Sequence, residues 1–413
     1  MRGTGTSTGT TITEVTPPPA RLLDLTRLAS RAGRVMTGVD RVEYAYLDRL
    51  LQEPVPLFAL VKTSLGYLLL DRAGCAEMKR RLDAQDWPDP NFLARIARRN
   101  DPARAGAEMA LRRAACARAL PARLGPMLRR HLPAGAVYLN TGHSNFSDRV
   151  IAALRQLPQA RIAVLLHDTI PLDWPQFQRE GSVETFAAFL RRVGQSADLV
   201  ICNSEVTRRD MLRHFSGQRT PKNIVAHLGV PRPIPGTAPQ GPWTGAPYFV
   251  VLGTIEPRKN HALLLDIWRD LAPPAHLLIC GQRGWKNEEV FAALDAGLPR
   301  VHELPGLSDA EIAALLRQSA GLLFPSHAEG YGLPPVEAAA LGMPVLSAPL
   351  PVVQEVLGDN PVYADESDRY LWASRIRQMA KGYRAQPDEA VQERGAFTPP
   401  SWDAHFKAVL TLI

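Results

Sequence analysis

Two glutamates eight residues apart, Glu329 and Glu337, flank a turn in the stretch HAEGYGLPPVEAAALGMPV, residues 327–345. Proline is favoured at the start of a helix, because its missing N–H would have no partner there. The pattern therefore predicts a helix that begins at Pro334 or Pro335 and has Glu337 in its first turn, with Glu329 in the loop before it. Two acids separated by such a turn suit a ligand that has several polar parts.

The turn between the two acids can also bind an anion. Pro334 and Pro335 have no amide hydrogen, so the available donors are the amides of four residues: Gly330, Tyr331, Gly332 and Leu333. The positive end of the helix dipole would add to their field. The competing interpretations are simpler: Glu337 would only complement the helix dipole, and Glu329 would be a surface loop acid.

A basic pair, Arg258 and Lys259, follows another predicted strand in YFVVLGTIEPRKN, residues 248–260. Arginine binds phosphate as a bidentate fork and lysine binds it as a point charge. Together the two could neutralise a diphosphate without a metal ion, although such a pair can equally be a solvated surface feature. Gly253 lets the backbone turn tightly between strand and pair. The chain has no Asp-x-Asp triplet, so we expect no metal site of the type that uses one.

The first half of the chain offers three more polar stretches: TGVDR (37–41), NTGHSNF (140–146) and HDTIP (167–171). His167 follows a predicted strand and could contact a reacting hydroxyl, while His143 competes for that role and either ring could be structural. Gly38 could let the backbone pass close to a phosphate.

The elements that position these residues are apolar runs of strand length that alternate with helical patterns in both halves. This alternation predicts parallel sheets, and ligands bind such sheets beyond the carboxyl ends of the strands. The Pro- and Gly-rich stretch 230–247 separates the two series. We therefore expect five parts: a disordered segment (1–20), a first domain (21–235), a linker (236–247), a second domain (248–396) and a terminal segment (397–413).

The charge of the chain is concentrated in one segment. Residues 79–130 hold thirteen basic and five acidic residues, a balance of +8 in a chain whose net charge is +7. We expect arginine-rich helices here, facing an anionic membrane surface, with solvated helix faces as the alternative. Nucleic acid is the weaker candidate, because no recognition motif or aromatic interleaving accompanies the charge. No apolar stretch reaches the length of a spanning helix or a signal peptide, so we expect a cytoplasmic protein, peripheral on the inner membrane face at most.

The motifs LGTIEPRKN, PSHAEGYGLPPVEAAALGMPV and HDTIPLDWP together resemble the retaining glycosyltransferases of family 4, most strongly over residues 160–365. The resemblance implies an α/β chain with the GT-B fold, in which two doubly wound Rossmann-like domains face each other across a cleft. It implies that the terminal segment 397–413 forms a helix that crosses back to the first domain. Gln354-Glu355 departs from the Pro-Glu that the family often has.

The resemblance also implies roles for single residues. The catalytic group would be His167, Glu329, Arg258 and Lys259, in which Glu329 contacts the sugar hydroxyls and the basic pair binds the diphosphate. The nucleotide-sugar side would be formed by the following: Gly38, Gly253, Thr254, Leu307, Glu337 and the four residues 330–333. Within this set, Glu337 would hold the ribose, and Leu307 would lie beside the base.

The implied activity is transfer of a hexose, mannose or glucose, from a GDP- or UDP-sugar with retention of configuration and without metal or other cofactor. The acceptor would be a saccharide or a lipid-linked saccharide in bacterial surface polysaccharide synthesis. One alternative is a non-catalytic sugar-nucleotide-binding scaffold of the same fold. Another is a nicotinamide oxidoreductase, which shares the alternating pattern, but no G-x-G-x-x-G follows a predicted strand.

Overall fold

The computed structural model of the chain describes residues 17–90, 101–383 and 397–413. Most of the predicted disordered segment, residues 1–16, lies outside these ranges, as do three of the thirteen basic residues of the 79–130 segment: Arg95, Arg98 and Arg99. The described part contains two β-sheets with helices around them. No helix in these ranges has both the length and the apolar content needed to span a bilayer.

The first sheet has the strand order β4-β3-β2-β1-β5-β6-β7-β8. Its strands are β1 (Arg21–Asp24), β2 (Leu57–Thr63), β3 (Gly66–Leu70), β4 (Ala117–Ala119), β5 (Val137–Asn140), β6 (Arg161–Leu166), β7 (Leu199–Cys202) and β8 (Lys222–Val225). The helices of this domain are α1 (Thr26–Ser30), α2 (Gly38–Gln52), α3 (Arg72–Ala84), α4 (Pro102–Ala114), α5 (Leu124–His131), α6 (Asp148–Leu154), α7 (Ile170–Asp173), α8 (Ser182–Ser196) and α9 (Glu205–His214).

The first sheet is mixed, so the prediction of a wholly parallel sheet is wrong at this edge. Strands β2 and β3 pair antiparallel, and so do β3 and β4. The tight turn between Thr63 and Gly66 reverses the chain directly, which leaves no room for the crossover that parallel strands need. Strand β4 also interrupts the segment that we expected to contain only arginine-rich helices.

The second sheet is parallel throughout, in the order β11-β10-β9-β12-β13-β14. Its strands are β9 (Tyr248–Leu252), β10 (His276–Cys280), β11 (Val301–Glu303), β12 (Gly321–Phe324), β13 (Val345–Ser347) and β14 (Val362–Tyr363). The remaining helices are α10 (His261–Leu271), α11 (Glu288–Ala296), α12 (Asp309–Arg317), α13 (Leu333–Ala340), α14 (Pro351–Leu357), α15 (Arg369–Lys381) and α16 (Trp402–Leu410). Strand β9 is buried along its whole length, as expected for a strand covered by helices on both faces.

Helix α16 packs on helix α2 of the first domain. The Tyr46 hydroxyl lies 2.8 Å from His405 Nε2, and the rings of Tyr46 and Phe406 meet edge to face. Arg49 adds an ion pair with Asp403 at 3.0 Å. The end of the chain is therefore attached to the first domain, which joins the two halves a second time beyond the 230–247 connection.

The two domains share apolar packing beside the connection. One buried cluster combines Leu228 and Val230 of the first domain with Tyr331 and Val353 of the second. The Tyr331 hydroxyl also donates to the Leu228 carbonyl at 3.0 Å. This packing holds the carboxyl ends of the two sets of strands toward each other.

Candidate active site

The predicted basic pair and Glu329 come together because β9 and β12 are neighbouring parallel strands. Arg258 and Lys259 lie in a short 3-10 turn, Pro257–Lys259, that follows β9. Glu329 lies in the loop that follows β12. Gly253 has φ +125°, and a Cβ at this position would lie 3.2 Å from Lys259 Cε. A glycine here therefore permits both the turn and the passage of the lysine side chain.

The Glu329 carboxylate bridges the two cations. Its Oε2 lies 2.9 Å from Arg258 Nη1, and its Oε1 lies 2.6 Å from Lys259 Nζ. Glu256, which the sequence did not single out, holds the other guanidinium nitrogen at 2.6 Å. Arg258 Nη1 also donates to the Ala328 carbonyl at 2.6 Å. The pair is thus a fixed, paired group of the protein interior and not a solvated surface feature.

Burial and charge act in opposite directions on this group. Burial acts to raise the pKa of Glu329, but the charges of Arg258 and Lys259 outweigh it and lower the pKa to about 2. Burial is also the largest influence on Lys259 and lowers its pKa, against the attraction of Glu329. Glu329 is therefore ionised at any physiological pH, and it keeps both cations in place.

The turn after Glu329 leaves its backbone amides without acceptors in the described part of the chain. Gly332 adopts φ +89°, and helix α13 begins at Leu333 with Pro334 and Pro335 behind it. Within the described ranges, no group accepts a hydrogen bond from the amides of residues 330–333. The helix ends at Ala340, and Gly342 shortly after it has positive φ.

Glu337 lies in the second turn of α13, so its predicted place in the first turn is wrong. The helix starts one residue earlier than the proline pattern indicated, because Gly332 supplies the left-handed residue before it. Glu337 is also not left to the helix dipole. Arg41 Nη1 of helix α2 donates to its carboxylate, and Arg41 Nη2 lies 2.5 Å from Asp309.

Arg41 is a site residue that the sequence reasoning missed. It lies in the first turn region of α2, where the positive end of the helix dipole disfavours a cation. An arginine so close to the start of a predicted helix was the signal in TGVDR that could have identified it. Its unfavourable position indicates that an acid from elsewhere in the chain pairs with it. Leu307 is half-buried two residues before Asp309, so the predicted base-side segment and the predicted ribose acid lie near one another.

The first domain meets the glycine turn at the end of β6. A Cβ on Gly330 would lie 2.8 Å from both the Asp168 carboxylate and the His167 carbonyl. Gly38, the first residue of α2, approaches Leu333 in the same way, since a Cβ there would lie 3.0 Å from its side chain. The loops of the two domains therefore touch at both predicted glycines.

His167 is buried, and its Nε2–H donates to the Thr141 carbonyl at 2.7 Å. Burial lowers the pKa of its imidazole to about 4, so the ring is neutral near pH 7. His143 lies against Phe186 and Phe189 and its Nε2 bonds the Leu165 carbonyl, which is a packing role. Of the two histidines, His167 is the one whose backbone contacts the glycine turn.

Asp168 is a second residue that we did not assign, although it stands beside His167 in the sequence. Its Oδ1 accepts from the Ile170 amide at 3.0 Å, and its Oδ2 faces Gly330. Burial raises the pKa of Asp168 to about 6, against the attraction of Arg258. A carboxyl that titrates near pH 6 therefore lies beside the turn that could bind an anion.

The departure at Gln354-Glu355 is accommodated by a contact between the domains. Glu355, in α14, accepts from the amides of Glu205 and Val206 at the start of α9, at 2.6 and 3.0 Å. His227 Nε2 lies 2.8 Å from the same carboxylate.

Thr254, another residue that the resemblance assigned to the nucleotide-sugar side, is half-buried. It packs against Gly284, close to the turn that carries Arg258.

Solved structures share this two-domain arrangement. HepE from Anabaena, in complex with UDP-glucose, superposes with a TM-score of 0.60 over 91% of this chain and 95% of its own, at 16% identity. The structure of trehalose-6-phosphate from Escherichia coli bound with UDP-2-fluoro glucose superposes with a TM-score of 0.54. The match covers 95% of this chain and 99% of that chain, at 12% identity. These proteins are glycosyltransferases of the GT-B type.

The fold is GT-B.

Residues 238–394, most of which form the second domain, match the family model of glycosyl transferases group 1. Two curated relatives are mannosyltransferases of Escherichia coli. Serotype-specific mannosyltransferase WbdA is 30% identical over 223 residues, covering 48% of this chain and 27% of its own length. O-antigen chain mannosyltransferase B is 27% identical over 233 residues, covering 53% and 61%. The chain thus spans less than two thirds of either relative.

Proposed function

We propose that this protein is a hexosyltransferase that moves mannose or glucose from a GDP- or UDP-sugar to a saccharide or lipid-linked acceptor in bacterial surface polysaccharide synthesis. The observation that carries the proposal is the buried bridge from Glu329 to Arg258 and Lys259 at the ends of β9 and β12. The mannosyltransferase names of the two relatives support a hexose, and the UDP-glucose bound by HepE supports a nucleotide-sugar donor.

The chemistry asked of this group is the stabilisation of a leaving diphosphate. The bond from the sugar C1 to the phosphate oxygen breaks, and negative charge grows on the phosphate. Arg258, Lys259 and the amides of residues 330–333 would stabilise that charge. Preorganised donors of this kind contribute about 3–4 kcal/mol each to the transition state.

We propose retention of configuration without a metal ion. The acceptor oxygen would bond to C1 on the face that the phosphate leaves, and its proton would pass to the departing phosphate oxygen. This route requires no general base from the protein. Arg258 and Lys259 would donate hydrogen bonds to the departing phosphate in place of a metal ion, and closure of the two domains would exclude water.

The alternative is a scaffold that binds a nucleotide sugar without consuming it. A panel of radiolabelled donors, including GDP-mannose, UDP-glucose and UDP-galactose, distinguishes a transferase from a scaffold. For each donor, a thermal-shift measurement reports binding and an assay of label release reports turnover. We expect one donor to raise the melting temperature and to release its sugar. A donor that stabilises the protein but stays intact over many hours would support the scaffold.

We also propose that the first domain contacts an anionic membrane surface, which would make the protein peripheral on the inner face. Within the 79–130 segment, the ion pairs of the basic residues indicate which part of the surface could face the membrane. Lys79, Arg80 and Arg81 of α3 pair with nearby acids, so their charge is largely neutralised. At the edge of the first sheet, by contrast, Leu65 and Leu120 are 61% and 68% exposed.

Arginines without acid partners surround these two leucines. Gly66 lies against the Leu120 backbone, which brings the two side chains to one edge. Arg112 donates to Thr63 in the same hairpin, and Arg118 is exposed on β4. Among the described residues, no carboxylate lies within ion-pair distance of Arg112, Arg118 or Arg123. Exposed apolar tips among free cations suit an anionic bilayer, where each basic residue contributes about 1 kcal/mol.

Vesicle sedimentation tests this surface. We expect wild type to bind phosphatidylglycerol vesicles more tightly than phosphatidylcholine vesicles, with binding that weakens as salt rises. Arg118→Ala together with Arg123→Ala should weaken binding by roughly 10-fold or more. Lys79→Ala together with Arg80→Ala is the matched control and should have little effect. Equal binding to both lipids, or a larger effect of the α3 variant, would reject this surface.

A further inference from the structure

Three rings form a continuous stack that crosses the cleft. Trp174 stacks on Phe177 with centroids 5.7 Å apart and planes 9° apart. Phe177 in turn stacks on His327 at 5.3 Å and 14°. Trp174 and Phe177 belong to the first domain, whereas His327 belongs to the second. The stack therefore spans the two domains, and none of its members has a role in the donor site proposed above.

The stack is held in place from both sides. Trp285 Nε1, in the loop after β10, donates to the Phe177 carbonyl at 2.9 Å, and the Arg179 guanidinium lies 4.2 Å from the centre of the Trp285 ring. The His327 amide bonds the Arg258 carbonyl at 2.9 Å. These contacts attach the Phe177 backbone to the loop after β10 and the His327 backbone to the turn that carries Arg258 and Lys259.

The stack lies next to the turn that carries Arg258 and the loop that carries Glu329. His327 is two residues before Glu329, and Trp174 follows Asp168 through the short helix α7. Trp174 ends the stack and is 37% exposed, whereas Phe177 and His327 are partly buried. Phe177 packs against one indole face, and part of the Trp174 surface stays accessible to solvent.

A cluster of polar groups begins at the residue directly before Trp174. Asp173 lies 2.7 Å from Arg213 and 2.8 Å from His214. An aromatic face with such a cluster beside it in the chain combines an apolar surface with hydrogen-bonding groups. A pyranose ring has the complementary chemistry, because one face presents C–H groups and its edge presents hydroxyls. A flat face of fixed orientation also costs little conformational entropy when it binds.

We propose that Trp174 is a platform for a pyranose ring of the acceptor saccharide, with Asp173, Arg213 and His214 facing its hydroxyls. The proposal rests on the proposed transferase function and names the acceptor side of the same cleft. It assigns the acceptor a saccharide unit next to the attacking hydroxyl, so that a disaccharide end should bind better than a monosaccharide.

The acceptor KM and the rate of donor hydrolysis, measured for Trp174→Ala, Trp174→Phe and Tyr370→Ala, test this platform. The probes are α-1,2-mannobiose, α-1,3-mannobiose and maltose, each with the donor that wild type consumes. We expect Trp174→Ala to raise the acceptor KM about 10-fold, as the loss of a ring contact of roughly 1.4 kcal/mol would, while donor hydrolysis without acceptor stays unchanged. Trp174→Phe keeps a ring and should recover most of the affinity. Tyr370→Ala, which removes an aromatic side chain 68% exposed on α15, should leave acceptor KM unchanged.

Saturation-transfer NMR on the same disaccharides reads binding without turnover. If wild type consumes no donor, the proposed function fails, and the NMR signal still decides whether Trp174 binds saccharide. An acceptor KM within 2-fold of wild type in Trp174→Ala would overturn the platform. So would an equal loss of donor hydrolysis and acceptor affinity, since that indicates a structural role, and so would binding of none of the three probes.

Discussion

Glu329 lies among cations of its own domain, whereas Glu337, eight residues later, is held by a cation of the other domain. The side chains of Glu329 and Lys259 are only 8% and 10% exposed. The side chain of Arg41 is 34% exposed, and its second partner, Asp309, is 64% exposed. One acid thus belongs to a group that is complete within one domain, and the other belongs to a contact that needs both domains.

The two acids therefore differ in whether their ion pairs depend on the contact between the domains. The Glu329 group takes all its ion-pair partners from the second domain, so its ion pairs do not depend on contact between the domains. The Arg41 contact exists only when α2 and α13 face each other, so it reports domain closure, and a ribose bound at Glu337 would compete with it. Variants of the Glu329 group should therefore change kcat and the free energy of unfolding strongly. Variants of the Arg41 contact should have smaller effects, chiefly on the balance between closed and open domains.

The largest effect is expected from Lys259→Ala. Removal of one preorganised cation should lower kcat by about 100- to 1,000-fold while the fold is kept. Steady-state kinetics with the accepted donor measure this. The matched control is Arg269→Ala, an exposed arginine of α10 that pairs with Asp266; its kcat should equal that of wild type. A Lys259→Ala kcat within 3-fold of wild type would contradict the assigned role.

Glu329→Ala should destabilise the protein by about 3–5 kcal/mol, because two buried cations lose their shared partner. Urea denaturation gives the free energy of unfolding. Glu337→Ala is the comparison and should cost about 1 kcal/mol or less, since its partner Arg41 is partly solvated. Equal costs for the two substitutions would remove the distinction between the groups.

The pH dependence of donor binding tests Asp168. This carboxyl is neutral below pH 6 and ionised above it, and it then places negative charge beside the turn that would bind the diphosphate. Both phosphates of a nucleotide sugar are diesters that keep their charge across this range. We expect the donor Kd to rise about 3- to 10-fold from pH 5 to pH 7.5. Asp168→Asn should bind with a nearly constant Kd, and a variant as pH-dependent as wild type would exclude Asp168 as the cause.

The smallest effect is expected from Arg41→Ala. Loss of a partly exposed ion pair should shift the closed-to-open balance by up to about 5-fold. Small-angle X-ray scattering without donor should show a larger radius of gyration for Arg41→Ala than for wild type, and no such change for Lys259→Ala. An unchanged radius in both variants would indicate that the Arg41 contact does not stabilise closure.

The contrast also explains what the sequence could reveal. The Glu329 group was predictable because its members lie at the ends of two strands, β9 and β12, that the apolar runs identify clearly. Gly253 and the prolines after Leu333 mark the turns directly, since few other residues fit there. Even so, the helix start was misplaced by the left-handed Gly332, and Glu337 was assigned to the wrong turn.

Contacts between the domains were harder to predict, because no local pattern encodes which surfaces meet. Arg41, Asp168 and Glu355 all stand in stretches that the sequence reasoning quoted, yet their partners lie in the other domain. The prediction for the edge of the first sheet was wrong for a related reason. Strand β4 has only three residues, and its identity depends on pairing with β3 rather than on its own composition.

The most direct test of the central claim is a proton NMR time course of wild type with GDP-mannose or UDP-glucose and a mannobiose acceptor. The account predicts that the anomeric signal of the donor disappears while the signal of an α-linked product appears, and that Lys259→Ala slows both together. A donor that binds but keeps its anomeric signal, or a product with β linkage, would contradict it.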